Sequence, residues 1–191
     1  MRYLIILAHP DTKSFNSTIA LTIKKYLSKT GNEVILHDLY TENFNPILSV
    51  DEIKRKFSFN EKVQRYSLEL SEADHIIFVH PDWWGQMPAI LKGWIDRVFR
   101  QGTAFEYNGP DFEEKEKIAL LTGKIATVII TTDRDSQTML IENIWKKDIL
   151  SYCGIDDAGV LIHFKARTSG SKERGLFIER IISRVNSTVK N

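Results

Sequence analysis

Three short stretches of the chain carry side chains that could grip a ligand. The first is His9-Pro10 followed by Ser14, Phe15, Asn16 and Ser17, at the point where a helical pattern begins. Free backbone N–H groups and the positive end of a helix favour an anion such as a phosphate, and hydroxyl and amide side chains add donors. The second is Pro81-Asp82-Trp83-Trp84-Gly85, with two adjacent indoles suited to a planar ring. The third is Thr131-Thr132, a pair of small donors. A glycine-rich dinucleotide fingerprint and a glycine-lysine phosphate loop are both absent, which argues against nucleotide hydrolysis. The acidic pair that a response regulator needs after its first strand is replaced by His9-Pro10.

The elements that must position these stretches follow from the apolar pattern. Residues 3–8 and 75–79 are continuous apolar runs that end in polar loops, as buried parallel strands do. Residues 33–36, 125–130 and 160–164 complete five strands. Between them, helices are predicted from Phe15 through Leu27, over 52–70 as one or two pieces, over 89–100, 139–149 and 176–185. Ser14 is placed as the N-cap of the first. Phe57, Phe59, Val63 and Tyr66 are expected to point inward, and residues 101–123 to be mostly loop. Strands alternating with helices imply an α/β fold, a doubly wound parallel sheet with helices on both faces. The five-stranded order 2-1-3-4-5 is expected, with its topological switch between strands 1 and 3. The loops after those strands are 9–14 and 81–88, so the site falls there. A phosphate grip, an aromatic wall and donors at a ring edge describe FMN or the corresponding half of FAD.

Composition narrows the classes. At 191 residues, 42% hydrophobic and with a net charge of +1, one domain over 1–191 is expected. No strong field would draw in nucleic acid. The single cysteine, Cys153, excludes a disulfide framework within one chain. The first apolar run reads as a strand and not a signal peptide, and no run reaches the 18 or so residues of a membrane span. A cytoplasmic protein without membrane insertion is the expectation, and no metal site is read.

The motifs together resemble the NAD(P)H:quinone oxidoreductase family, the DT-diaphorase-like branch of flavodoxin-like proteins. The resemblance rests on His9-Pro10 with Ser14-Phe15-Asn16, on Asp38-Leu39-Tyr40 with Phe44-Asn45-Pro46, and on Gly123-Lys124. Its densest part runs from Pro81 to Gly85 and from Pro88 to Trp94, then through Arg97-Val98-Phe99. It implies a flavin (FMN or FAD), NAD(P)H as electron donor and a quinone-like acceptor, with two half-reactions at one place. It implies that His9, Ser14, Phe15 and Asn16 hold the phosphate end. Pro81, Asp82, Trp83, Trp84 and Gly85 would line the ring, bordered by Thr131 and Thr132. Phe105 and Tyr107 would shape the acceptor pocket, in a homodimer with the site at the subunit boundary. No catalytic side chain is assigned. Asp133-Arg134-Asp135 stands where such relatives carry glycines. Two other classes fit the same pattern: a single-electron flavodoxin-type carrier and a regulatory subunit of a potassium-efflux system.

Several residues read as structural. His80 is a strand-end histidine, Trp94, Ile95 and Phe99 are core, and Cys153 is a small buried hydrophobe. Asp96 and Arg97 read as a solvated or dimer-facing pair of small energetic value. Gly93, which costs a helix about 1 kcal/mol relative to alanine, is explained by close approach to the sheet. The charges at 113–117 read as a solvated loop.

Overall fold

The apolar runs become the strands of a parallel sheet because both of their faces are covered. The computed structural model describes residues 1–55, 57–108, 116–135 and 140–187. Its main sheet contains β1 (Arg2–Leu7), β2 (Glu33–Asp38), β3 (His75–Pro81), β6 (Ile125–Thr131) and β7 (Asp156–His163), in the order β2-β1-β3-β6-β7 and parallel throughout. Two further strands, β4 (Phe105–Asn108) and β5 (Glu116–Ala119), pair antiparallel as a separate small sheet. They lie in the segment expected to be loop. The chain thus has seven strands among its described residues, and the five-strand numbering 2-1-3-4-5 does not account for them.

Alternate side chains of the strands feed two cores. Leu4, Ile6, Ile76, Phe78, Val128 and Ile130 face α3 (Glu61–Glu72), α4 (Ala89–Val98) and the helical run after β6. Tyr3, Ile5, Leu7, Ile77, Val79 and Ile129 face α1 (Phe15–Lys29) and α7 (Ser171–Ser187). Period-two alternation inside apolar strands is what a sheet wound on both sides requires. The run after β6 comprises α5 (Leu140–Asn143), a π-helical stretch (Ile144–Leu150) and α6 (Ser151–Cys153). Met139, placed in this helix from the sequence, lies outside the described residues, as do 113–115 of the charge run. Cys153 is buried, and burial pushes its thiol up to about 11.

Three expectations fail for physical reasons. The segment over 52–70, expected as one or two helical pieces, forms two: α2 (Val50–Lys54) ends early and Asn60 caps α3, accepting from the Val63 N–H at 3.1 Å, so what fails is the inward placement of the residues between them. Phe57 and Phe59 fall in the gap and are exposed, meeting edge to face at 4.8 Å. Arg97 is buried and not solvated, paired with buried Glu52. Gly93 is explained by a neighbouring loop and not by the sheet, since a Cβ there would lie 2.2 Å from the Pro46 carbonyl oxygen.

Candidate functional site

The three stretches converge at the carboxyl ends of β1, β3 and β6, where the strand order reverses. A cleft of about 440 Å³ opens there. Of the residues singled out from the sequence, His9, Ser14, Phe15, Asn16, Pro81, Asp82, Trp83, Thr131 and Thr132 line it. Lys13, Asp133, Ala166, Arg167 and Arg174 complete the lining. Asp133 belongs to the stretch already noted in place of glycines; the sequence pattern missed the other four because Lys13 sits between motif residues, Ala166 and Arg167 come from the loop after β7, and Arg174 from the first turn of α7.

Its floor is the start of α1. Ser14 is the N-cap; its Oγ accepts from the Ser17 N–H at 3.1 Å, and its carbonyl accepts from Thr18 N–H at 3.0 Å. A helix leaves its first N–H groups without intrahelical acceptors, so those of Phe15 and Asn16 stand at the cleft for another acceptor. The His9 ring is held by the Asp11 backbone, its Nδ1 lying 3.0 Å from the Asp11 N–H and 3.3 Å from the Asp11 carbonyl oxygen. Lys13, Arg167 and Arg174 surround this end with positive charge. The Arg174 guanidinium lies 5.1 Å over the Phe15 ring and donates to the Ala166 carbonyl at 2.8 Å. Phe15 meets His163 edge-on at 5.2 Å. Burial, and then the charge of Arg174, lowers the His163 pKa from its ordinary value.

The walls are more polar than the sequence suggests. Asn16 is buried and donates from Nδ2 to Thr131 Oγ1 at 2.8 Å. Thr132 Oγ1 donates to Asp82 Oδ2 at 2.9 Å. Asp82 is also anchored by its own N–H to the Thr131 carbonyl at 2.7 Å and ion-paired to Arg134 at 3.2 Å. Behind the rim, His80 is fully buried. Its Nδ1 bonds the Pro81 carbonyl at 2.8 Å and its Nε2 accepts from the Trp145 indole N–H at 3.1 Å. Burial holds it down to about 4, so it stays neutral and braces Pro81. Five buried side-chain polar atoms have no hydrogen-bond partner among the described residues. Asn16 Oδ1 and Asp82 Oδ1 are both in the cleft lining, and His163 Nε2 is behind Phe15. Such orphans in a native fold call for an explanation, and a polar ligand supplies one.

The two tryptophans do different things. Trp83 is half-buried in the cleft and tilted against His9 at 6.2 Å. Trp84 is 99% exposed. It sits with Gly85 at the tip of a tight turn closed by Trp83 N–H to Gln86 O at 2.9 Å and Gln86 N–H to Trp83 O at 3.1 Å. Both tip residues have positive φ, 58° and 79°, the pattern of a type I′ turn. Trp84 and Gly85 are therefore not part of the cleft lining of one protomer. Phe105 and Tyr107 are not either: they meet edge to face at 5.7 Å, and the Tyr107 hydroxyl bonds that of Tyr152 at 2.8 Å.

The sequence as a whole matches the model of the flavodoxin-like fold family over residues 1–183. The chain belongs to that family. It is 32% identical to a protein of Haemophilus influenzae named an uncharacterized NAD(P)H oxidoreductase, over 94% of this chain and 91% of that one. It is 30% identical to the ribosyldihydronicotinamide dehydrogenase [quinone] of Rattus norvegicus, over 99% of this chain and 92% of that one. The structure of an NAD(P)H:quinone oxidoreductase from Methanothermobacter marburgensis superposes with a TM-score of 0.78 at 26% identity, covering 94% of each chain. Among the described residues of this flavodoxin-like chain, no helix is long and apolar enough to cross a membrane, and no group of three or more His, Cys, Asp or Glu is placed to hold a metal ion.

Proposed function

We propose that this chain is a flavin-dependent NAD(P)H oxidoreductase that reduces quinones or similar acceptors in two half-reactions. The observation that carries it is the pair of orphaned acceptors, Asn16 Oδ1 and Asp82 Oδ1, on residues that line the same cleft as the start of α1. The free N–H groups of that helix start and the nearby cations suit a phosphate. The orphaned oxygens suit the hydroxyl and N–H donors that a ribityl chain and a flavin ring present. The names of the related proteins support the donor and acceptor.

When bound, the flavin supplies the redox chemistry, taking a hydride from NAD(P)H and passing it to the acceptor. The protein binds and orients. In this reading Ser14, Phe15 and Asn16 hold the phosphate end with His9 beside them. Asn16, Thr131 and Thr132 hold the middle, and Pro81, Asp82 and Trp83 present the ring edge. Arg174 and Arg167 favour a charged tail over a neutral one. The turn at Trp84 and Gly85 forms the mouth. A second copy of the chain would bring Phe105 and Tyr107 to that mouth, since neither reaches its own cleft. An elution mass of one protomer in solution counts against that part.

The purified protein is expected to be yellow, to bleach with NAD(P)H and to recover colour with a quinone. A stable one-electron colour without response to NAD(P)H would favour a carrier instead, and a protein that retains no flavin on reconstitution sinks the reading. Two substitutions sharpen it. Asn16→Ala removes one orphan and one bond, with a small net effect on folding. It is expected to weaken flavin binding about 10- to 100-fold, the value of one or two buried hydrogen bonds, as measured by fluorescence quenching. Trp84→Asn places Asn-Gly at the tip of the type I′ turn, which suits both residues. It relieves a strained left-handed tryptophan, a strain of order 1–3 kcal/mol. Urea midpoints are expected to rise while kcat/KM for the quinone falls about tenfold through loss of a stacking surface.

A further inference from the structure

Asp82 is a carboxylate with 2% of its side chain exposed, at the edge of the cleft. A sealed charge is costly unless it is paired. Its Oδ2 accepts from Thr132 and lies 3.2 Å from Arg134 Nε, while Oδ1 has no partner. Arg134 is its only cationic partner within 4.0 Å among the described residues. That guanidinium is half-exposed, and the backbone of Arg134 is tied to two loops. The Arg134 N–H bonds Thr132 Oγ1 at 3.2 Å, its carbonyl accepts from the Lys165 N–H at 3.1 Å, and its Nη2 would lie 3.4 Å from a Cβ on Gly85. Of the other cations of the cleft, Arg167 is committed to Asp133 at 2.9 Å and Arg174 to Ala166 and Ser169, and Lys13 makes no ion pair with Asp82.

We infer that Arg134 is a positioning residue that neutralises Asp82 at the ring edge, so that this pair sets the relative affinity for oxidised and reduced flavin. The inference rests on the flavin reading above and goes beyond it. Two-electron reduction with uptake of one proton leaves a negative charge on the ring. An unpaired buried carboxylate alongside opposes that charge, and a paired one does not. Charge near the ring is a principal lever by which a protein tunes this cofactor. The arrangement also explains how a carboxylate is tolerated in a wall that must accept an anionic ring.

The test uses the full chain reconstituted with FMN, and in parallel with FAD. Oxidised-flavin affinity is read by fluorescence quenching and the midpoint potential by spectroelectrochemistry. Arg134→Ala is expected to lose about tenfold in affinity for the reduced form relative to the oxidised form, which is a midpoint about 30 mV more negative for a two-electron couple. Asp82→Asn, which frees the guanidinium, shifts it the other way. Asp82→Asn with Arg134→Ala returns the midpoint to the wild-type value, and Arg134→Lys stays near it. A merely structural Arg134 would weaken both redox forms equally and leave the midpoint unmoved, which overturns the inference while the flavin reading stands. A double variant as low as Arg134→Ala also overturns it. A wild type that binds neither FMN nor FAD overturns the flavin reading and this inference together.

Discussion

Arg97→Ala is expected to cost about 3–5 kcal/mol of folding stability, the loss typical of stranding one member of a buried ion pair. Arg97 donates from Nε and Nη2 to Glu52 Oε1 at 3.1 and 2.9 Å, and from Nη1 to the Asn45 carbonyl at 2.6 Å. Glu52 in turn accepts from Ser58 Oγ at 2.6 Å and closes the capping box of α2 through the Ser49 N–H at 3.1 Å. One guanidinium therefore ties α4 to the start of α2 and to the loop before it. Removing it leaves Glu52 charged and buried. The urea midpoint should fall with an unchanged slope, whereas Glu52→Gln with Arg97→Met should recover much of the loss.

The same pair gives a pH dependence with a definite sign. Burial opposes the charge on Glu52, but the Arg97 bonds, the Ser58 hydroxyl and the Ser49 amide overcome it and hold the carboxyl at about 2, below the ordinary 4.5. A depressed carboxylate contributes stability that is fully present above pH 4.5 and is lost as pH falls towards 2. Acid titration of wild type should show a loss in that window that is reduced in the double variant.

Gly93→Ala is expected to cost about 3 kcal/mol, the upper part of the usual range for overpacking. Alanine is the better helix former by about 1 kcal/mol, so helix propensity alone predicts the opposite sign. The clash decides. The added methyl would sit 2.2 Å from the Pro46 carbonyl oxygen and 2.5 Å from its Cα, and a backbone cannot rotate aside as a side chain can. Gly93 and Arg97 are one helical turn apart and meet adjacent residues of one loop, Pro46 and Asn45. The glycine lets the loop approach and the arginine holds it. A thermal midpoint at or above wild type for Gly93→Ala would refute this account.

Much of the site was legible because its residues are close in sequence. Ser14, Phe15 and Asn16 share one helix start, and the runs at 75–79 and 125–130 advertise buried strands whose ends carry Pro81-Asp82 and Thr131-Thr132. What was not legible depends on partners far along the chain. Arg97 reads as a surface residue until Glu52, 45 residues away, is placed against it. Asp82 and Arg134 become a pair only when β3 and β6 lie side by side. The β4–β5 hairpin was missed because each strand is four residues long and half-exposed, too short for alternation to rise above a loop. Phe57 and Phe59 were read inward by extending a helical period across a break that only the Asn60 cap reveals. Of the two tryptophans, nothing in the pattern shows that one backbone would turn left-handed and send its ring into water.

The imidazole behind the rim has a further consequence. It already spends both ring nitrogens, one on a proline carbonyl and one on an indole. Over the range where an ordinary histidine would titrate, this partition cannot acquire charge without giving up the indole contact and placing a cation in a sealed site. Any bend near neutrality in a plot of turnover against acidity must then originate in groups other than the brace itself, and mild acidification spares the cleft's geometry while the unfolded chain gains protons.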